Sequence, residues 1–124
     1  MSTLHFTDAE LACHCGCGAL PPTQFQAALE EFRLYYGAPM RLSSGARCPV
    51  HNASVSHTGP HGPHTIAAVD VLCHGRDARA LLDAAIRWGW SGIGVHQRGP
   101  SAARFLHLDD LPDGAHPRPW VWTY

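Results

Sequence analysis

The sequence lacks any imbalance of charge. Its 124 residues hold 9 Lys+Arg and 10 Asp+Glu, for a net charge of −1 with His neutral. A nucleic-acid binder would carry a basic stripe or a high pI, so no nucleic-acid partner is expected. No apolar run approaches the ~18 residues that a membrane span needs, so no membrane partner is expected either. The N-terminus, MSTLHFTDAELAC, has neither a basic n-region nor an apolar h-region. Synthesis in the cytoplasm without a signal peptide is the expectation, with thiols held reduced there. Cysteine is sparse: 5 in 124 residues falls well below the about 8–10% of a disulfide scaffold. The odd count leaves at least one thiol free, metal-bound or paired to another chain. No internal repeat and no linker is present, and the length suits one domain over 1–124. A chain of this size buries a core without needing metal or disulfides merely to fold. With 45% hydrophobic and 15% charged residues, it is not a disordered chain.

Histidine, in contrast, is abundant at 10 residues. Near the start lies a compact cluster, Cys13, His14, Cys15 and Cys17, within CHCGCG. Phe25, Ala28, Leu29, Phe32 and Tyr36 then recur at helical spacing, with Thr23 and Gln26 as an expected capping box and Gly37 and Pro39 as the stop. Met40 to Leu42 reads as a short strand. Ser43 to Thr65 shows no clear periodicity and reads as one long loop, a length usually retained for function. Ile66 to Leu72 reads as a strand in which Asp70 shares a face with Ile66, Ala68 and Leu72. Asp77 to Trp88 reads as a second helix, with Ala78, Leu81, Leu82, Ala85 and Ile86 facing inward. Gly92 to His96 and Arg104 to Leu108 read as two further strands. The aromatics of the terminal WVWTY are expected to close over the core rather than to face a ligand.

Three groups of residues carry chemistry. The first is His51, His57, His61 and His64, followed by Asp70, His96 and His107. An ionisable residue in an apolar strand, as at Asp70 and His107, needs a partner or a metal, and zinc accepts imidazole and carboxylate ligands. The second is SSGARCP, whose turn presents Arg47 at a strand end, where a guanidinium can grip a carboxylate through paired hydrogen bonds. The third is Cys13, Cys15 and Cys17, with Cys48 or Cys73 as a fourth member. Their C-x-C-x-C spacing is tighter than the C-x₂₋₄-C of zinc ribbons. Cys13 and Cys48 come close only if the first loop packs on the SGARC turn. Nothing fixes a His beside any one Cys, which argues against a nucleophilic thiol.

The ordered set SSGARCPVHN, GPHTIAAVDV, GIGV and RFLHLDDLP with RPWVWTY resembles the M15 zinc peptidases. These form the D-Ala-D-Ala carboxypeptidase and L-alanyl-D-glutamate endopeptidase group, and the small phage and prophage forms are the most similar. The resemblance runs from about Phe6 to Tyr124. It implies an α+β fold, a small antiparallel sheet with packed helices of the hedgehog and D-Ala-D-Ala-peptidase kind. It implies Zn²⁺ held by His64, Asp70 and His107, with Arg47 on the substrate or its developing oxyanion. It implies a peptidoglycan stem peptide as substrate, with the cell wall or a phage particle as the site of action, and a monomer is expected. The sequence departs from the family pattern twice. His64 to Asp70 is H-x₅-D where the family has H-x₆-D, so His61 is held in reserve as a ligand. The position three residues before His107 is Arg104 rather than an acid, which leaves Asp109 and His96 as the candidates for general base. The rival expectation is a catalytically impaired, metal-binding module with a binding or phage-assembly role.

Overall fold

The computed structural model describes residues 3–124. Its elements run α1 (Asp8–Leu11), α2 (Thr23–Tyr36), β1 (Arg41–Ser44), α3 (Pro49–Val55), β2 (Ala68–Leu72), α4 (Gly75–Trp88), β3 (Gly92–His96), β4 (Phe105–Asp109) and β5 (Trp120–Thr123). The strands form one sheet in the order β1-β2-β4-β3-β5. Every pairing is antiparallel except β3 with β5, which is parallel. This is an α+β fold with a mostly antiparallel sheet.

Alternation along the strands gives the sheet two different faces. Val69 and Val71 of β2, Leu106 and Leu108 of β4 and Ile93 of β3 join the buried core with Phe25, Leu29 and Phe32 of α2 and Leu81 and Ala85 of α4. The opposite face carries Asp70, His107, Asp109 and His96 at the alternate positions, and it builds the site. Among the described residues no helix is long and apolar enough to cross a membrane.

The helix α2 spans the expected residues and ends on Gly37, whose φ of 77° supplies the left-handed cap. The expected capping box is absent. Pro22 is the N-cap, Thr23 is already helical, and the Gln26 amide donates to the Pro21 carbonyl at 2.9 Å. In α4, Ile86 is 62% exposed, so the inward stripe is Ala78, Leu81 and Ala85, with Leu82 at its margin. The first strand lies slightly later than expected and reaches Ser44.

The stretch from Ser43 to Thr65 is not one loop. It holds the end of β1, the helix α3 and two 3₁₀ turns, Gly59–His61 and Pro63–Thr65. With Asn52 as its only buried residue, α3 has no apolar stripe for periodicity to reveal. Pro49, at the start of α3, has its φ already set for a helix. The second strand is also shorter than the expected Ile66 to Leu72, because Ile66 lies before β2 and is 48% exposed.

Candidate metal centre and cleft

One row of paired residues crosses the sheet. Ser44 lies opposite Asp70, Asp70 opposite His107, His107 opposite Gly94, and Gly94 beside Trp122. His64 joins this row from the 3₁₀ turn ahead of β2. Because Pro63–Thr65 coils and Ile66 is helical in φ and ψ, the short H-x₅-D spacing is absorbed before the strand begins at Ala68. His64 therefore reaches Asp70 although the segment is one residue shorter than the family pattern. His61 is exposed on the separate turn Gly59–His61 and does not join the cluster.

Donor atoms of His64, Asp70 and His107 all lie within 4.8 Å of one another, and all three residues are buried. His64 Nε2 stands 3.1 Å and His107 Nδ1 3.2 Å from the same carboxylate oxygen, Asp70 Oδ1. The remaining nitrogens are engaged behind. His64 Nδ1 lies 2.7 Å from the Gly45 carbonyl, and His107 Nε2 lies 2.7 Å from Asp109 Oδ2. A carbonyl and a carboxylate can only accept, so they take the proton of each neutral imidazole. With both imidazoles neutral, as metal binding requires, the unprotonated nitrogens face Asp70, and three acceptors converge with no hydrogen between them. Such a cluster calls for a cation. A tetrahedral zinc site with bonds of about 2.0–2.1 Å has ligand edges of about 3.3–3.4 Å, close to the separations found. Burial acts to raise the Asp70 carboxyl, but His64 and His107 hold it well below the ordinary carboxylate range. His107 is shifted upward, since Asp109 and Asp70 outweigh the burial that acts to lower it.

Asp109 is fully buried. Arg118 donates to both its oxygens, Nε to Oδ1 at 2.9 Å and Nη2 to Oδ2 at 2.7 Å. The Leu111 N–H adds a third contact at 3.3 Å. The carboxylate thus sits beneath His107 with both oxygens occupied. Gly92 makes room for this pair, because a Cβ there would lie 2.2 Å from Asp109 Oδ1 and 2.5 Å from Arg118 Nε. Gly92→Ala is expected to cost about 1–3 kcal/mol, as overpacking does, with a lower denaturation midpoint as the measurement.

Above these ligands opens a cavity of about 990 Å³, lined among others by Arg47, Asn52, His96, Trp120, Trp122 and Tyr124. Arg47 sits 3.5 Å from Asp70 Oδ2 and donates to the Asn52 side-chain oxygen at 3.2 Å. Asn52 in turn donates to Thr58 Oγ1 and to the Gly59 carbonyl, so α3 and the 3₁₀ turn hold the guanidinium together. His96 stacks on Phe105 with ring centroids 4.9 Å apart, and its Nδ1 is buried without a partner. Arg104 donates to the Gly99 carbonyl at 3.0 Å and is not part of the cavity lining.

The terminal aromatics correct the sequence expectation. Trp120, Trp122 and Tyr124 line the cavity instead of closing over the core, and Trp120 and Tyr124 are 55% and 51% exposed. β5 adds to the sheet edge in parallel with β3, which turns alternate residues onto the site face. Trp122 lies 4.8 Å from the His107 ring, and the Arg118 guanidinium lies 5.2 Å over Trp122. Sequence reasoning singled out neither Arg118 nor Asn52. The only local signal was a charged and a polar residue in otherwise ordinary turn and helix segments.

The fold and site together define an α+β protein with a buried His–Asp–His donor set at the floor of a cleft, suited to a divalent metal. Comparison with protein families matches residues 4–109 to the family described as Peptidase M15. The chain belongs to that family, and membership implies a peptidase. M15 peptidases are typically zinc-dependent, in keeping with the donors found. No curated protein and no solved structure gives a significant match.

Proposed function

We propose that the protein is a zinc metallopeptidase that hydrolyses short peptides containing D-amino acids, the stem peptides of peptidoglycan, with the cell wall as its site of action. The observation that carries this reading is the convergence of His64, Asp70 and His107 beside Arg47 in an open cleft. His64, Asp70 and His107 would hold the zinc ion, which when bound would supply Lewis-acid polarisation of the scissile carbonyl and would lower the pKa of a water molecule from about 15.7 toward ~7. Arg47, braced by Asn52 and Asp70, presents its fork to a substrate carboxylate or to the oxyanion that develops on hydrolysis. His96 lines the cavity, and it is the group we assign to take the water's proton and return it to the leaving amine. Asp109, saturated by His107 and Arg118, is assigned to orienting His107. The aromatic wall of Trp120, Trp122 and Tyr124 offers apolar surface against which the peptide can lie.

The impaired-module reading draws on two departures, the short H-x₅-D spacing and Arg104 in place of an acid before His107; the coiled approach that brings His64 to Asp70 speaks against the first, and the second stands. The test is incubation of the purified protein with stem peptides ending in D-Ala-D-Ala and with peptides carrying the L-Ala-D-Glu bond. Mass spectrometry identifies the products. Cleavage of one bond is expected, lost on treatment with a chelator and restored by zinc. Zinc binding without cleavage of either peptide would support the binding-module reading instead.

A further inference from the structure

A second group of ligand-type side chains comes together outside the cleft. The sulfur atoms of Cys13, Cys15, Cys17 and Cys48 all lie within 4.8 Å of one another. Cys13 and Cys15 are 3.4 Å apart, and Cys15 and Cys48 are 3.6 Å apart. Zinc–thiolate bonds of about 2.3 Å place the sulfurs of a tetrahedral site about 3.7–3.8 Å from each other. A disulfide would hold a pair at about 2.03–2.05 Å, and all five cysteines are free.

The tight C-x-C-x-C spacing converges because the chain coils. In an extended strand alternate side chains share a face but stand about 6.6 Å apart. Here Gly16 and Gly18 adopt φ of 84° and 83°, a conformation that glycine takes at little cost. The Gly16 N–H donates to the Cys13 carbonyl at 3.2 Å, and the Cys13 N–H to the Ala19 carbonyl at 2.9 Å. Cys48 arrives from the SGARC turn, which is seated directly on α1. The Ala46 N–H donates to the Leu11 carbonyl at 2.8 Å, and a Cβ on Gly45 would lie 2.4 Å from that same oxygen. Two backbone N–H groups already point at sulfur, Cys48 N–H at Cys13 Sγ and His51 N–H at Cys48 Sγ, both 3.4 Å. Donors so placed stabilise thiolate charge. The fifth thiol, Cys73, lies elsewhere, against the Val71 carbonyl.

We propose that Cys13, Cys15, Cys17 and Cys48 form a structural zinc site, separate from the cleft. Four thiols lose their protons to solvent as the metal binds, and no electrons are transferred. Four protein ligands leave no open position for substrate, so the site is a staple and not a catalytic centre. It ties the N-terminal segment to the turn that carries Arg47 and the Gly45 carbonyl on which His64 rests. The proposal stands on the sulfur geometry alone and is independent of the peptidase reading.

The test uses the full chain purified under reducing conditions in zinc-containing buffer. Two zinc ions per chain are expected by elemental analysis. Cys15→Ser should lose one and keep the other, while His107→Ala should lose the opposite one. Reconstitution of the His107→Ala protein with Co²⁺ is expected to give intense sulfur-to-cobalt charge-transfer absorption, which reads the thiolate site without altering any cysteine. A Cys15→Ser protein that keeps as much zinc as the unaltered protein, or a cobalt spectrum without those bands, would overturn the proposal. So would iron with inorganic sulfide at the site, or an intact mass lowered by the hydrogens of a disulfide.

Discussion

Replacing His107 with alanine is expected to empty the cleft of zinc and to lower peptide hydrolysis by about a thousandfold or more. His107 Nδ1 is one of three donors that converge on the site. Removing one of three leaves His64 and Asp70, too few to hold a metal in a defined geometry. A bound metal contributes several kcal/mol of transition-state stabilisation, and each 1.36 kcal/mol corresponds to about tenfold in rate. The measurements are kcat/KM on the cleaved stem peptide and zinc content of the same preparation. Near-ultraviolet circular dichroism checks that Trp122, which packs on the His107 ring, keeps its surroundings. Hydrolysis that persists in a folded His107→Ala protein would place the reacting centre elsewhere.

Asp109→Ala is expected to destabilise the fold by about 3–5 kcal/mol, the usual consequence of removing one partner from a buried ion pair. The Arg118 side chain is 5% exposed. Without Asp109 its guanidinium would remain buried with no carboxylate, and His107 Nε2 would lose its acceptor. Asp109→Ala combined with Arg118→Met should recover most of that loss, because an apolar pair replaces the ionic one. Zinc affinity should not recover. It is expected to stay about 10–100-fold weaker, since nothing then orients His107 or fixes its tautomer. Denaturant titration reads the first quantity and competition with a chelator the second. Asp109→Asn offers the converse check. If it leaves zinc affinity intact yet abolishes the pH dependence of the rate, Asp109 handles the proton and His96 does not.

Much of the fold was legible because it is written in short-range periodicity. Phe25, Leu29 and Phe32 announce one helix, and Ala78, Leu81 and Ala85 another. The alternation around Asp70 and around His107 marks two strands with a polar residue facing an otherwise apolar surface. These two residues were conspicuous as candidates because burial of an ionisable group demands a partner. The segment from Ser43 to Thr65 was not legible. A short helix with one buried residue, followed by two 3₁₀ turns, has no repeat to detect. His64 was for the same reason hard to place, since its distance from Asp70 is set by coiling and not by strand spacing.

The α+β class came from the resemblance to the M15 peptidases; the sequence by itself determined two helices, the strands that carry Asp70 and His107, and a stock of imidazoles and thiols suited to metal. These follow from local pattern and composition, which each segment expresses on its own. Only the tertiary structure decided which donors meet. Asp109 shares the strand of His107, but Arg118 reaches its carboxylate from the far side of a turn. Trp122 comes onto the site face because β5 pairs in parallel with β3. The four sulfurs gather because two left-handed glycines coil one segment while the SGARC turn packs against it. These contacts join separate segments of the chain or depend on how a short segment coils, and their closeness is set by the packing of the sheet and its flanking turns, which hydrophobic periodicity does not report.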